Sequence, residues 1–302
     1  MTIFFLEQMK VPLVTINKIK VLILGASGML GNTVLRMLSQ KDYYTVTGTI
    51  RSEQYIDILP KKVRDLVVCG IDADNQDSLM RLFEKVRPDV VINCTGLVKQ
   101  LADVNNPLVA LPINSLFPHR LAHICALSGA RLVHMSTDCV FTGKKGMYTE
   151  DDLPDATDLY GVSKRLGEVN YSNAVTLRTS IIGHELNGSR SLIDWFLSQK
   201  VAIKGYRQAI FSGLPTIEIA RIICEFVIPH TQLKGVYHVS SNPISKYDLL
   251  LLVAKIYEKK IDINEDNDFV IDRSLDSTKF REETGYNPPS WESLITLMHK
   301  FG

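Results

Sequence analysis

Apolar positions begin to recur regularly at Ile19. The run Ile19-Lys20-Val21-Leu22-Ile23-Leu24 ends at Gly25, the pattern of a short strand buried on both faces of a parallel sheet. Residues 28–40 then read as a helix, and 45–50, 65–70 and 90–94 as three further strands. Between the last two, residues 76–86 carry a helical period that Pro88 brings to an end. Downstream, 118–128 reads as helix, 131–135 as strand and 160–170 as helix. Residues 175–178 and 235–239 read as two more strands, while 191–198, 218–227 and 246–260 are helical, with a final helix beyond Pro288-Pro289. Strands and helices alternating at this length predict right-handed crossovers and an α/β fold with a doubly wound parallel sheet.

The same pattern divides the chain. Residues 1–17 form an N-terminal extension, whose apolar Ile3-Phe4-Phe5-Leu6 is cut by Glu7 and lacks the basic start of a signal peptide. Residues 18–178 make a Rossmann-type dinucleotide-binding domain, to which a segment at about 216–262 returns. Residues 179–215 and 263–302 are expected to form a smaller α/β substrate-binding lobe.

Composition narrows the function classes. The 302 residues are 45% apolar and 22% charged, enough to bury a sizeable core. Thirty-four basic against 33 acidic residues leave no field to hold nucleic acid or an anionic membrane. No apolar run approaches the roughly 20 residues that span a bilayer. Cys69, Cys94, Cys125, Cys139 and Cys224 are scattered without a C-x-x-C pair, and the histidines lack ligand spacing. A reducing, cytoplasmic setting without disulfides or metal is expected. His134, inside a buried strand pattern, reads as a packed core histidine.

Gly25-Ala26-Ser27-Gly28-Met29-Leu30-Gly31 lies directly between the first strand and the first helix. Glycines there permit a tight turn, close approach of a pyrophosphate and close packing of helix on sheet. The helix N-terminus offers free N–H groups and the positive end of its dipole. Gly25, Ser27, Gly28, Met29, Leu30 and Gly31 are therefore expected to hold a dinucleotide. After the second strand the chain reads Gly48-Thr49-Ile50-Arg51-Ser52, with no carboxylate before Glu53. Arg51 and Ser52 suit the 2′-phosphate of NADP(H), so NADPH is favoured over NADH. Asp72 and Ala73 after the third strand are placed to meet the adenine. Cys94, Thr95 and Gly96 after the fourth are placed beside the nicotinamide ribose.

Tyr160 and Lys164 are four residues apart and so share a helix face. Carbonyl reduction needs a proton donor for the oxygen as hydride reaches the carbon. A phenol with a pKa of about 10 is a weak acid at neutral pH, and a neighbouring ammonium lowers it. Y-x-x-x-K is common by chance, but roughly 130 residues downstream of the glycine motif it becomes specific.

At this point the sequence resembles the extended short-chain dehydrogenase/reductase family. Ser136-Thr137-Asp138-Cys139-Val140-Phe141-Thr142-Gly143, then Tyr148-Thr149-Glu150, then Tyr160-Gly161-Val162-Ser163-Lys164-Arg165-Leu166-Gly167-Glu168 are similar to its dTDP-4-dehydrorhamnose reductase subfamily. The likeness runs from about Ile19 to near the C-terminus. It implies that Thr137 hydrogen-bonds the substrate carbonyl and that Tyr160 is the general acid. Lys164 would lower the Tyr160 pKa and bind the nicotinamide ribose, and Asn114 would be a sheet-end asparagine. It also implies that Lys99, Asp138, Val140, Trp195 and Pro215 border a nucleotide-sugar, and that the protein forms a homodimer.

Two departures bear on the substrate. Cys139 stands where the subfamily has a tyrosine, and Gly96-Leu97-Val98-Lys99-Gln100 differs from the rhamnose enzymes, pointing to another sugar such as a UDP-linked N-acetylated 4-keto-6-deoxyhexose. A 4,6-dehydratase would carry a second carboxylate at position 139, and a 4-epimerase an acidic residue in place of Arg51. The subfamily is similar, too, to the regulatory subunit of methionine adenosyltransferase, which acts by binding a partner. Arg51 argues against an epimerase without removing it as an alternative, and two readings of different class stand beside it. One is NADPH-dependent reduction of the 4-keto group of a nucleotide-activated 6-deoxyhexose for surface polysaccharide; the other is a cofactor-binding regulatory subunit.

Overall fold

A computed structural model describes residues 17–98 and 102–302; residues 1–16 of the expected extension, and Lys99, lie outside the described residues. Six strands of the main sheet follow chain order: β1 (Ile19–Leu24), β2 (Tyr44–Thr49), β3 (Val67–Val68), β4 (Val90–Asn93), β5 (Arg131–Thr137) and β6 (Ala174–Thr179). A seventh strand, Gly235–His238, returns to pair with β6. All pairings are parallel, and across the sheet the order is Gly235–His238, β6, β5, β4, β1, β2, β3.

The apolar run of β1 is explained by its place near the middle of this sheet. Val21 and Ile23 enter the core on one face with Val34, Leu35 and Leu38 of the first helix, Met29–Leu38. Leu22 and Leu24 enter the opposite core with Leu79, Leu82 and Phe83 of the helix Gln76–Val86. With helices on both faces, each such side chain contributes roughly 1.5–3 kcal/mol of burial, so both sides of the strand are apolar here. The helix Gln76–Val86 begins where the Asn75 side chain accepts from Ser78 N at 3.0 Å and ends at Arg87 in a left-handed conformation, just before Pro88.

A second core gathers Ile193, Phe196, Ile203, Phe211, Ile295 and Met298. Within 216–262, the strand Gly235–His238 joins the main sheet, whereas the helix Lys246–Ile256 buries Leu249, Leu250 and Val253 in this second core.

Among the helices that differ from the sequence pattern, two border the site. The expected helix 118–128 is observed as Phe117–Ser128, preceded by helical turns that widen to π geometry over Leu111–Leu116. Pro112 at the start of that turn has no N–H to donate, so the regular ladder cannot continue through it. The expected helix 160–170 is observed as Leu159–Leu166, followed by Gly167, which lies against the Asn114 carbonyl where a Cβ would collide.

Candidate active site

The C-terminal ends of the strands open on a groove of about 350 Å³. Gly25, Ser27 and Gly28 line it from the turn after β1, Arg51 from beyond β2, and Asp72 and Ala73 from beyond β3. Cys94, Thr95 and Gly96 line it after β4. Gly25 has φ +85°, a left-handed conformation that favours glycine. At Gly31 a Cβ would collide with the Gly25 carbonyl oxygen, so glycine there lets the helix start close beneath the turn. Within the same motif Leu30 is buried in the core and Met29 is half-buried. Ser52 precedes a short 3-10 turn, Glu53–Tyr55.

A ladder of side chains holds the groove wall. Thr95 N donates to Asn93 Oδ1 at 3.0 Å, and Asn93 Nδ2 donates to His134 Nδ1 at 3.1 Å. Burial holds His134 well below the usual histidine range, so it is a neutral core residue, as its strand pattern implied. Burial also pushes the Cys94 thiol up to about 12, leaving it protonated.

Gly96 connects the groove to a cluster of functional groups. A Cβ there would lie 3.3 Å from Asn114 Oδ1 and 3.7 Å from Lys164 Nζ, so glycine keeps the space before the lysine open. Thr137 ends β5; its hydroxyl oxygen accepts from Cys139 N and its hydroxyl donates to Asp138 Oδ1, both at 3.1 Å. Tyr160, on the helix Leu159–Leu166, stands near enough to the same Thr137 hydroxyl to feel it. Lys164 Nζ donates to the Met135 carbonyl at 2.7 Å. A hydroxyl, a phenol and an ammonium so gathered can polarise and protonate a carbonyl oxygen.

The titration behaviour of this cluster is dominated by burial. Burial raises the Tyr160 phenol above its ordinary value, Cys139 adds to the rise, and Thr137 opposes it. Burial draws Lys164 down to about 8, with Glu168 pulling the other way. Lys164 is not among the leading influences on the phenol, which is governed by burial.

Two expectations are corrected. Asn114 is not at a sheet end; it sits on the π turn Leu111–Leu116, accepts from Leu97 N at 2.9 Å and donates to Ser163 Oγ at 3.1 Å. Val140 is wholly buried with Phe141, Tyr148 and Leu275, so its side chain presents nothing to a cleft. Asp138 is buried beside Thr137; burial pushes its carboxyl up, while Arg273 and Lys246 pull it down. Trp195 is partly exposed on the helix Leu192–Ser198, and Pro215 is buried against Ile182; neither lines the groove.

Lys246 and Arg273 escaped the sequence reading because each looks like a solvated charge until the smaller lobe folds against Asp138. Arg178 carried a readable signal: an arginine inside the strand Val175-Thr176-Leu177-Arg178-Thr179 demands a buried partner. That partner is Glu168, at 2.7 Å. None of the five cysteines is in a disulfide, and among the described residues no cluster of three His, Cys, Asp or Glu could hold a metal.

Comparisons with known proteins agree with this architecture. The chain is 29% identical over 237 residues to the spore coat polysaccharide biosynthesis protein SpsK of Bacillus subtilis (strain 168), covering 76% of this chain and 75% of that one. It is 25% identical to methionine adenosyltransferase 2 subunit beta of Mus musculus, over 81% of this chain and 74% of the other. Among solved structures, a dTDP-4-dehydrorhamnose reductase from Bacillus anthracis str. Ames, in complex with NADP, superposes with a TM-score of 0.78 at 22% identity, covering 94% of this chain and 100% of that one. The family model described as RmlD substrate binding domain matches residues 19–300, and the chain belongs to that family.

Proposed function

We propose that the protein reduces the 4-keto group of a nucleotide-activated 6-deoxyhexose with NADPH, supplying a precursor of surface polysaccharide. The observation that carries this reading is the convergence of Thr137, Tyr160 and Lys164 at the Gly96 end of the groove. Backbone at Gly25 and Gly28 fits a pyrophosphate, and Arg51 on the rim fits a 2′-phosphate. Asp72, Ala73, Cys94, Thr95 and Gly96 supply the rest of the wall. When bound there, the dinucleotide supplies the hydride.

The chain's own residues do the remainder. Thr137 donates a hydrogen bond to the substrate carbonyl oxygen and orients it. Tyr160 protonates that oxygen, and the raised phenol favours the neutral, proton-bearing form from which donation starts. Lys164 places a positive charge beside the developing alkoxide. Lys246 and Arg273, converging from the smaller lobe on Asp138, suit the diphosphate of a nucleotide-sugar. The reading includes a cytoplasmic homodimer.

The likeness to a methionine adenosyltransferase subunit favours a second reading, a cofactor-binding regulatory subunit. One assay separates them: loss of NADPH absorbance with freshly generated dTDP- and UDP-linked 4-keto-6-deoxysugars. Turnover of any of them supports the reductase. Silence across the panel, with NADPH bound and a partner enzyme captured tightly, replaces it with the regulatory subunit.

A further inference from the structure

Tyr160, Lys164 and Glu168 stand at successive turns on one side of the catalytic helix and its C-terminal extension. Each faces one of three successive residues of β5. Lys164 Nζ donates to the Met135 carbonyl at 2.7 Å, Glu168 Oε1 accepts from Ser136 Oγ at 2.7 Å, and Tyr160 stands near Thr137. Glu168 is gripped from its other side by Arg178, whose Nε and Nη2 each donate at 2.7 Å. Arg178 is the residue of β6 in register with Ser136. Its Nη1 in turn donates to His238 Nε2 at 3.1 Å, and His238 Nδ1 donates to the Tyr148 carbonyl at 2.9 Å.

The ion pair at the centre of this chain is nearly dry, with side chains 6% and 8% exposed. Such a pair returns little net stability once both charges are desolvated, and an aliphatic pair would fill the same space at least as well. Its position beside the catalytic helix gives it another use.

We propose that Glu168 is a positioning residue for Lys164: its buried carboxylate, fixed by Arg178 and Ser136, keeps the lysine charged and holds the helix against the strand that ends in Thr137. The inference rests on the reading above in which Lys164 works with Tyr160.

The surroundings of Lys164 leave this task to Glu168. From the end of β4 it faces Cys94, whose thiol stays protonated, and from β5 it faces His134, which stays neutral. Tyr160 on its own helix is neutral as well. Burial draws the lysine down to about 8, and Glu168 is the strongest influence in the other direction. Arg178, on the far side of Glu168, becomes an unbalanced positive charge if the carboxylate is removed.

Glu168→Gln keeps the shape and the Ser136 hydrogen bond but removes the charge. Without the anion, Lys164 gives up its proton at lower pH. The alkaline limb of kcat/KM, and of NADPH affinity measured by calorimetry, is expected to move down by about one pH unit. Glu168→Asp, which keeps the charge, is expected to restore most of that shift. If Glu168→Gln does not fold, Glu168→Gln combined with Arg178→Gln removes both buried charges and is expected to move the limb in the same direction. A limb that stays at the wild-type pH, with activity lowered uniformly or not at all, overturns the proposal. Absence of turnover by the wild type would sink the reductase reading alone, because the pH limb of NADPH affinity tests Glu168 without turnover.

Discussion

The groove from Gly25 to Gly96 is walled by backbone and short side chains, whereas the centre just beyond Gly96 buries Asp138, Lys164, Glu168 and Arg178. The first region owes its shape to steric necessity: a left-handed Gly25, a Gly31 pressed against the Gly25 carbonyl, an Asn93–Thr95 bond that fixes the wall. Nothing in that shape depends on a proton. The second owes its properties to charges in a dry setting, where burial moves Tyr160 up and Lys164 down together. A site made of backbone binds a rigid, repeating chemical shape. A site made of buried charges can be tuned for proton transfer, at the cost of sensitivity to pH and to the loss of a partner.

The largest effect should come from separating the two regions. Tyr160→Phe removes the proton donor and leaves the groove intact, so kcat is expected to fall roughly a thousandfold with NADPH affinity nearly unchanged. Steady-state kinetics beside calorimetry check this; an active Tyr160→Phe enzyme would place the acid elsewhere.

Acid should next expose the difference in stability. Burial, and then Arg178, hold His238 down at about 4, against about 6.5 in an unfolded chain. The unfolded chain binds that proton first, so His238 contributes its full stability above about pH 6.5. The contribution is lost as pH falls from there through 4, up to roughly 3 kcal/mol. Denaturant midpoints between pH 4 and 7 should show this slope in the wild type and a shallower one in His238→Gln. Equal slopes would mean that the buried-charge centre is no more acid-sensitive than the groove.

The smallest effect belongs to the groove's rim. Arg51→Ala is expected to weaken NADPH about tenfold, one charge-assisted contact, and to leave NADH unchanged. Equal losses for both cofactors would remove Arg51 as the selector of the 2′-phosphate.

Legibility followed the same division. The doubly wound sheet could be read because strands covered on both faces are largely apolar, as Val21 through Leu24 are. The groove could be read because a glycine required by sterics is local: Gly25, Gly28 and Gly31 act within one turn, and Arg51, Asp72 and Thr95 follow strand ends. In the charge-built centre, the residues alone made legible the helix face of Tyr160 and Lys164, and the resemblance added Thr137 and Asp138. Val140 was misjudged because its neighbours in a motif face the cleft while it faces Phe141 and Tyr148. Asn114 was misjudged because a π turn at Pro112 sets its direction, and such a turn leaves no periodic trace.

By itself, then, the order of residues determined the strand and helix succession, the phosphate turn and the spacing of phenol and ammonium, all consequences of interactions within a few residues. Only the tertiary structure decided that Glu168 meets Arg178 across β6, that Lys246 and Arg273 close on Asp138, and which way the titrating groups shift. Those outcomes depend on which distant segments exclude water from one another, and desolvation is a property of the packed molecule rather than of any stretch of chain.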